Sequence, residues 1–180
     1  MNETEATSQH PKCVTTESRR CVCEGRFELD ATPEQVFPLF TPRGEIDWVP
    51  GWQPEFVHPT DGELVEDQVF VTEHGDETTL WSVLHADIDG RRAEYLRVTP
   101  GSRLGRVAVA VDPTAGGSTI TVRYVLTALT AEAVSVLRGF ADGYDAMLVE
   151  WRDRTADALR RAEASRAGAL RPPTGSVADS

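Results

Sequence analysis

Residues 130–163 read as one long amphipathic helix, and no other segment of comparable length carries a helical period. Leu137, Phe140, Ala141, Tyr144, Met147, Leu148, Trp151, Ala158, Leu159 and Ala162 recur at three- and four-residue steps. Asp142, Asp145, Glu150, Asp153 and Asp157 keep off that stripe. Thr130 is placed to cap the first turn, Glu132 suits its positive end, and Gly168 with Arg171-Pro172-Pro173 marks the far limit. Gly139 and Gly143 each weaken the helix by about 1 kcal/mol relative to Ala. Such a helix must bury one face, so the rest of the chain has to supply a surface for it.

That surface reads as a sheet. A first strand is expected at 21–29, where Cys21, Cys23, Phe27 and Leu29 alternate with Val22, Glu24, Arg26 and Glu28. A sharp helix start follows, with Thr32 as cap, Pro33 at the first position and Gln35 completing a capping box. Val36, Phe37, Leu39 and Phe40 give this element an apolar side, while Pro38 and Pro42 keep it short and kinked. A second short helix is expected around 45–48, leading into Val49-Pro50-Gly51-Trp52. From there the period is two, with strands expected at 52–58, 68–74, 78–87, 92–99, 104–111 and 118–128. Asp61-Gly62, Gly75-Asp76, Asp89-Gly90, Pro100-Gly101 and Pro113 to Gly117 separate them, and such short turns imply antiparallel pairing. The clearest alternation is Ile120, Val122, Tyr124 and Leu126 against Thr119, Thr121 and Arg123, with Val107, Val109 and Val111 as a facing set.

The expected fold class is therefore α+β: a curved antiparallel sheet of about seven strands round a long C-terminal helix, with two short helices after the first strand. One domain is expected over residues 20–165, with tails at 1–19 and 166–180 that are rich in small and polar residues.

Composition narrows the function classes. Against 18 Lys+Arg stand 29 Asp+Glu, a formal net charge of −11, which argues against nucleic acid or an anionic membrane as partner. Neither a secretory leader nor a membrane span is read in the chain, so a soluble, cytoplasmic protein is expected, as monomer or homodimer. Cys13, Cys21 and Cys23 make an odd count. Two residues apart on a strand is poor geometry for a disulfide, so a reduced compartment is expected. With His10 they match no paired zinc-ligand spacing, and no metal or cofactor is expected. Patterns of the G-x-S-x-G, P-loop, G-x-G-x-x-G and H-E-x-x-H kinds are absent.

Four strings carry a resemblance: Phe27-Glu28-Leu29-Asp30-Ala31-Thr32-Pro33-Glu34-Gln35-Val36-Phe37, Glu45-Ile46-Asp47-Trp48-Val49-Pro50-Gly51-Trp52, Arg97-Val98-Thr99-Pro100-Gly101-Ser102 and Ser118-Thr119-Ile120-Thr121-Val122-Arg123-Tyr124. With the order of elements they resemble the helix-grip fold of the SRPBCC superfamily, the group of START, birch-pollen-allergen-like and polyketide cyclase/dehydrase domains. The resemblance spans most of 21–163. It implies a deep, mostly apolar pocket between the last helix and the sheet, suited to a lipid, sterol, polyketide or aromatic compound. It carries over no catalytic residue, because the superfamily has no shared catalytic motif.

Within that frame the helix stripe Phe140, Tyr144, Met147 and Trp151 is expected to serve both as core and as pocket wall, with the Tyr144 phenol as a polar contact. Trp48 and Trp52 stand where the family's entrance lies, and Phe37 and Phe40 border the same region. Phe70, Val109 and Tyr124 are expected to line the pocket from the sheet. His85 shares a strand face with Trp81 and Val83 and ranks above His74 as an inward acid–base group. Tyr95, Arg97 and Thr99 share a face whose direction parity does not decide. If inward, Tyr95 and Arg97 suit a carboxylate or enolate; if outward, Arg97 is a surface ion pair. The expected function is binding of a hydrophobic small molecule. The alternatives are a polyketide cyclase/dehydrase-like enzyme and an interaction module resembling chaperone activators.

Overall fold

In the computed structural model, which describes residues 12–15 and 19–169, the alternation beginning at Cys21 becomes a ten-residue strand, Arg20–Leu29, whose Cys21, Cys23, Phe27 and Leu29 point inward and are buried. In chain order the strands are β1 (Lys12–Thr15), β2 (Arg20–Leu29), β3 (Glu55–His58), β4 (Val69–His74), β5 (Glu77–Asp87), β6 (Arg92–Thr99), β7 (Arg103–Thr114) and β8 (Gly117–Ala128). All pair antiparallel in one curved sheet of order β1-β2-β8-β7-β6-β5-β4-β3. The seven expected strands are present within a few residues of their expected ends.

The eighth strand corrects the reading of 1–19 as a tail. β1 lies along β2 with Cys13 opposite Cys23, their Cα atoms 4.1 Å apart, and the two form a disulfide. The expectation of three reduced cysteines weighed only the Cys21/Cys23 spacing; the cross-strand partner lay in a segment too short and polar to show a period. Cys21 stays a buried free thiol, its Sγ 3.4 Å from that of Cys23. The rest of both expected tails, 1–11, 16–18 and 170–180, lies outside the described residues.

After β2 the chain makes the expected tight helix α1 (Pro33–Val36), where the Thr32 N–H donates to Gln35 Oε1 at 3.0 Å. Two 3-10 helices follow, Phe37–Phe40 and Gly44–Asp47, because Pro38 and Pro42 prevent an α-helix from continuing. The indole N–H groups of Trp48 and Trp52 donate to the carbonyls of Leu39 (2.6 Å) and Pro42 (2.7 Å), fastening this segment to itself.

The long helix α2 (Ala133–Ala169) opens with the Ala133 N–H donating to the Thr130 hydroxyl at 3.3 Å. It runs past the expected boundary at 165. From Arg160 to Ala167 its residues are exposed, so the extension rests on the helix propensity of Ala, Arg and Glu, which an apolar period does not register. Leu137, Tyr144, Leu148, Thr155 and Ala158 form its buried stripe, and it packs on β1, β2 and β8. The β3–β7 half of the sheet faces the 41–52 segment instead. No helix among the described residues is long and apolar enough to cross a membrane.

Two glycines test this account. A β-carbon on Gly44 would run into the backbone of Pro38 and Leu39, whereas one on Gly143 would meet nothing. Gly44→Ala is expected to lower stability in urea by about 1–3 kcal/mol, and Gly143→Ala to raise it by up to about 1 kcal/mol.

Candidate functional site

The 41–52 segment does not seal the sheet it covers. A cavity of about 270 Å³ remains between Pro42, Glu45 and residues 49–52 on one side, β4 to β8 on the other, and Trp151 of α2 at the back. Its floor is aromatic. Phe70 and Trp81 are stacked, with centroids 5.6 Å apart, and Trp52 stands edge-on to both at 6.2 and 5.8 Å. The Trp81 indole N–H donates to the Thr72 hydroxyl (2.9 Å), and the Thr79 and Thr99 hydroxyls bond to each other (2.9 Å).

Strand β6 turns Ala93, Tyr95, Arg97 and Thr99 inward, which decides the open question of parity: Tyr95 lies between Val83 of β5 and Val107 of β7. Arg97 is thus no surface ion pair. Its guanidinium carbon sits 5.3 Å from the centroid of Trp81, its buried Nε has no hydrogen-bond partner, and no carboxylate lies within ion-pair distance among the described residues. Arg103 of β7, by contrast, is bidentate to Glu77 at 2.7 and 2.8 Å at the cavity's edge. Those bonds hold the Glu77 carboxyl below the usual range. Burial pulls the Arg97 guanidinium below its ordinary value, though arginine remains charged near neutrality.

Glu45 is the residue that pattern reading missed. It opens the Glu45–Trp52 string without carrying a role there, and it sits in a 3-10 helix, where its backbone bonds to Thr41, Trp48 and Val49 carry its side chain over the cavity. Its carboxyl has no hydrogen-bond or ion-pair partner among the described residues, and burial pushes it up to about 8. The Tyr95 and Tyr124 phenols are raised too, by burial first and then by the charge of Glu45; Arg97 opposes this at Tyr124. Tyr95 donates its proton to the Phe40 carbonyl (3.1 Å), whereas the Tyr124 hydroxyl has no partner among the described residues.

Of the residues named from the sequence, Trp52, Phe70, Trp81, Tyr95, Arg97, Val109, Tyr124 and Trp151 line this cavity. The others do not. Tyr144 is wholly buried and spends its hydroxyl on the Val122 carbonyl at 2.8 Å. Phe140 packs on Tyr124 and Tyr144, and Met147 against the same core. Phe37 and Phe40 are buried in the core, and Trp48 packs edge-on against Phe40 and Trp151. His85 fails for another reason. The register shifts between Val83 and His85, so alternation breaks and His85 turns outward to Glu66 at 2.9 Å. His74, ranked below it, is the histidine at the cavity mouth.

No protein-family model and no curated protein matches the chain. Solved structures do. Norcoclaurine synthase from Thalictrum flavum, as a point mutant bound to a transition-state analogue, superposes with TM-score 0.60 at 13% identity, covering 83% of this chain and 99% of that one. CalU16 from Micromonospora echinospora gives TM-score 0.53 at 16% identity over 88% and 92%. DynU16, from the dynemicin biosynthetic locus, gives 0.55 at 17% identity over 77% of this chain and 47% of that one. These likenesses bear out the resemblance at the level of fold: the chain has the helix-grip architecture.

The unpartnered carboxyl makes a signed prediction. Glu45 titrates near 4.5 when unfolded and near 8 when folded, so the native state holds the extra proton between those values and loses stability as pH rises through the window. Glu45→Gln is expected to match the wild type in melting temperature at pH 5 and to exceed it by about 4 °C or more at pH 9. Equal pH profiles would mean that the carboxyl is solvated.

Proposed function

We propose that this helix-grip protein of the SRPBCC type binds a small, flat, largely apolar molecule bearing one anionic oxygen, a carboxylate, phenolate or enolate, against Arg97. The observation that carries this reading is the lone guanidinium among aromatic walls. A largely desolvated charge without an anionic partner is disfavoured by several kcal/mol, and the Trp81 face offsets about 2 kcal/mol of that. An anionic ligand group would supply the missing partner and satisfy the orphaned Nε–H.

Size refines the ligand class. At about 270 Å³ the cavity lies at the lower edge of small-molecule sites, usually about 300–1,000 Å³. One- and two-ring aromatic compounds suit it better than a sterol or a long acyl chain.

An acid–base enzyme of the cyclase/dehydrase kind is the second reading. It is favoured by a carboxyl that changes charge near neutrality inside the same cavity. Of the residues first expected for that chemistry, Tyr95 and Arg97 line the cavity, whereas His85 and Tyr144 do not reach it. Glu45 does.

A thermal-shift and tryptophan-fluorescence screen with naphthoic and hydroxybenzoic acids, a sterol and a fatty acid tests the binding reading. The aromatic acids are expected to stabilise by about 2.7 kcal/mol at 100 times their Kd. Arg97→Met should weaken them at least tenfold, and Tyr144→Phe should leave affinity unchanged while lowering stability by about 1 kcal/mol. If no compound shifts the melting point or quenches fluorescence, the reading fails.

A further inference from the structure

Three sulfurs meet where the edge strand β1 lies along β2. Cys13 is bonded to Cys23 across the two strands, and the Cys21 thiol lies 3.4 Å from the Cys23 sulfur. The three differ in access: Cys21 and Cys23 are buried, whereas Cys13 is partly exposed. None of them lines the cavity, so this site stands or falls apart from the binding reading. β1 itself has four residues, pairs with β2 alone and otherwise packs against α2. So short an edge strand holds on weakly by backbone pairing, and the covalent bond does most of the fastening.

We propose that the Cys13–Cys23 bond is a redox-active site for low-molecular-weight thiols, that Cys21 assists its opening, and that opening releases β1. A thiolate attacks the Cys13 sulfur, the one within its reach. The Cys13–Cys23 bond breaks and its electron pair leaves on Cys23, toward which the Cys21 S–H donates. A second thiolate then attacks the small thiol's own sulfur in the mixed disulfide, and Cys13 leaves as thiolate. Two small thiols are oxidised to their disulfide, and Cys13 and Cys23 take up the two protons those thiols gave up. Oxidation by the same small disulfide runs the sequence backwards and refastens the strand.

The arrangement suits each step. Cys23 has no hydrogen while it is bonded to Cys13, so Cys21 is the donor in the contact between them. Burial raises the Cys21 thiol and keeps that hydrogen in place. A leaving thiolate that receives a hydrogen bond leaves faster. Cys21 does not compete for the bond, because two residues along one strand is poor geometry for taking the place of Cys13.

The test uses the one lysine of the chain, Lys12, which opens β1, so a lysine-specific protease reports on that strand at a single bond. The native full chain is incubated with glutathione near neutral pH, quenched with iodoacetamide, and its opened thiols are counted by intact mass. Reduction is expected without denaturant, through a glutathione adduct that peptide mapping places on Cys13. The reduced protein is expected to be cut at Lys12 about tenfold faster than the oxidised protein. Cys13→Ser, which lacks the bond, should be cut as fast as reduced wild type with or without glutathione. Cys21→Ala should be reduced about tenfold more slowly, and Cys21→Ser, which keeps a donor in place, should recover most of the rate. Reduction only in denaturant makes the bond purely structural and overturns the proposal. Equal cleavage at Lys12 in the two redox states overturns it too, as does a Cys21→Ala rate equal to that of wild type.

Discussion

The structure turns on one mismatch of dimensions: the long helix α2 covers only part of the sheet it packs against. Its buried stripe, Leu137, Tyr144, Leu148, Thr155 and Ala158, meets the β1, β2 and β8 side. A curved sheet of eight strands is wider than one helix, so the inward faces of β4 to β7 need another cover. The 41–52 segment provides it, and provides it incompletely. Two proline-limited 3-10 helices and three tryptophans, Trp48, Trp52 and Trp151, bridge the remaining width and leave the cavity at the seam. The helix thus determines where the cavity lies chiefly by what it does not reach.

The polar groups at that seam divide into two kinds, and the division separates architecture from chemistry. Arg103 with Glu77, Tyr144 with the Val122 carbonyl, and Thr79 with Thr99 are closed pairs that hold strands and helix in place. Arg97 and Glu45 are open. Each is disfavoured by its surroundings, as the lowered guanidinium and the raised carboxyl both record. Stability alone would replace the two with apolar residues of similar volume. Gln68 of the β3–β4 connection, wholly buried, likewise leaves both side-chain polar atoms without a hydrogen-bond partner among the described residues.

Much of the fold was legible in the sequence because it rests on periods. The β-period of Ile120 to Leu126, the capping box at Thr32 and Gln35, and the helical stripe from Leu137 to Leu159 each follow from burial acting on a repeating geometry. β1 was not legible: four residues are too few to show a period, and its attachment through Cys13 and Cys23 depends on a cross-strand register that only the folded sheet reveals. Of the residues named from the sequence, those of the sheet other than His85 line the cavity, and of the helix stripe Trp151 alone does. Periodicity identifies Phe140, Tyr144, Met147 and Trp151 as one stripe, but it does not say which end of the stripe lies under the sheet's covered half. His85 was misplaced because alternation assumes an unbroken ladder, and the register shift after Val83 breaks it. Glu45 gave no signal, since a single acidic residue in a short acidic helix looks like a solvated charge until the fold encloses it.

The two open groups also differ in how they are held, and that difference bears on how such a site changes. Arg97 projects from the middle of β6, a strand paired along its length to both neighbours, so its position is as fixed as the sheet itself. Glu45 hangs from a four-residue turn fastened by a few backbone bonds, two indole N–H groups, the Gly44 N–H donating to the Thr41 hydroxyl, Arg43 donating to the Asp61 carbonyl and Arg161 of α2 donating to the Asp47 carbonyl. Substitutions in 41–52 can therefore move or replace the proton-bearing group without breaking the strand pairing that carries the cation. A chain built this way keeps its cationic end on the sheet while the acidic end varies with one short segment. That segment also covers the inward faces of β4 and β5 through Trp52, so a substitution there changes the cavity and the packing of the sheet together.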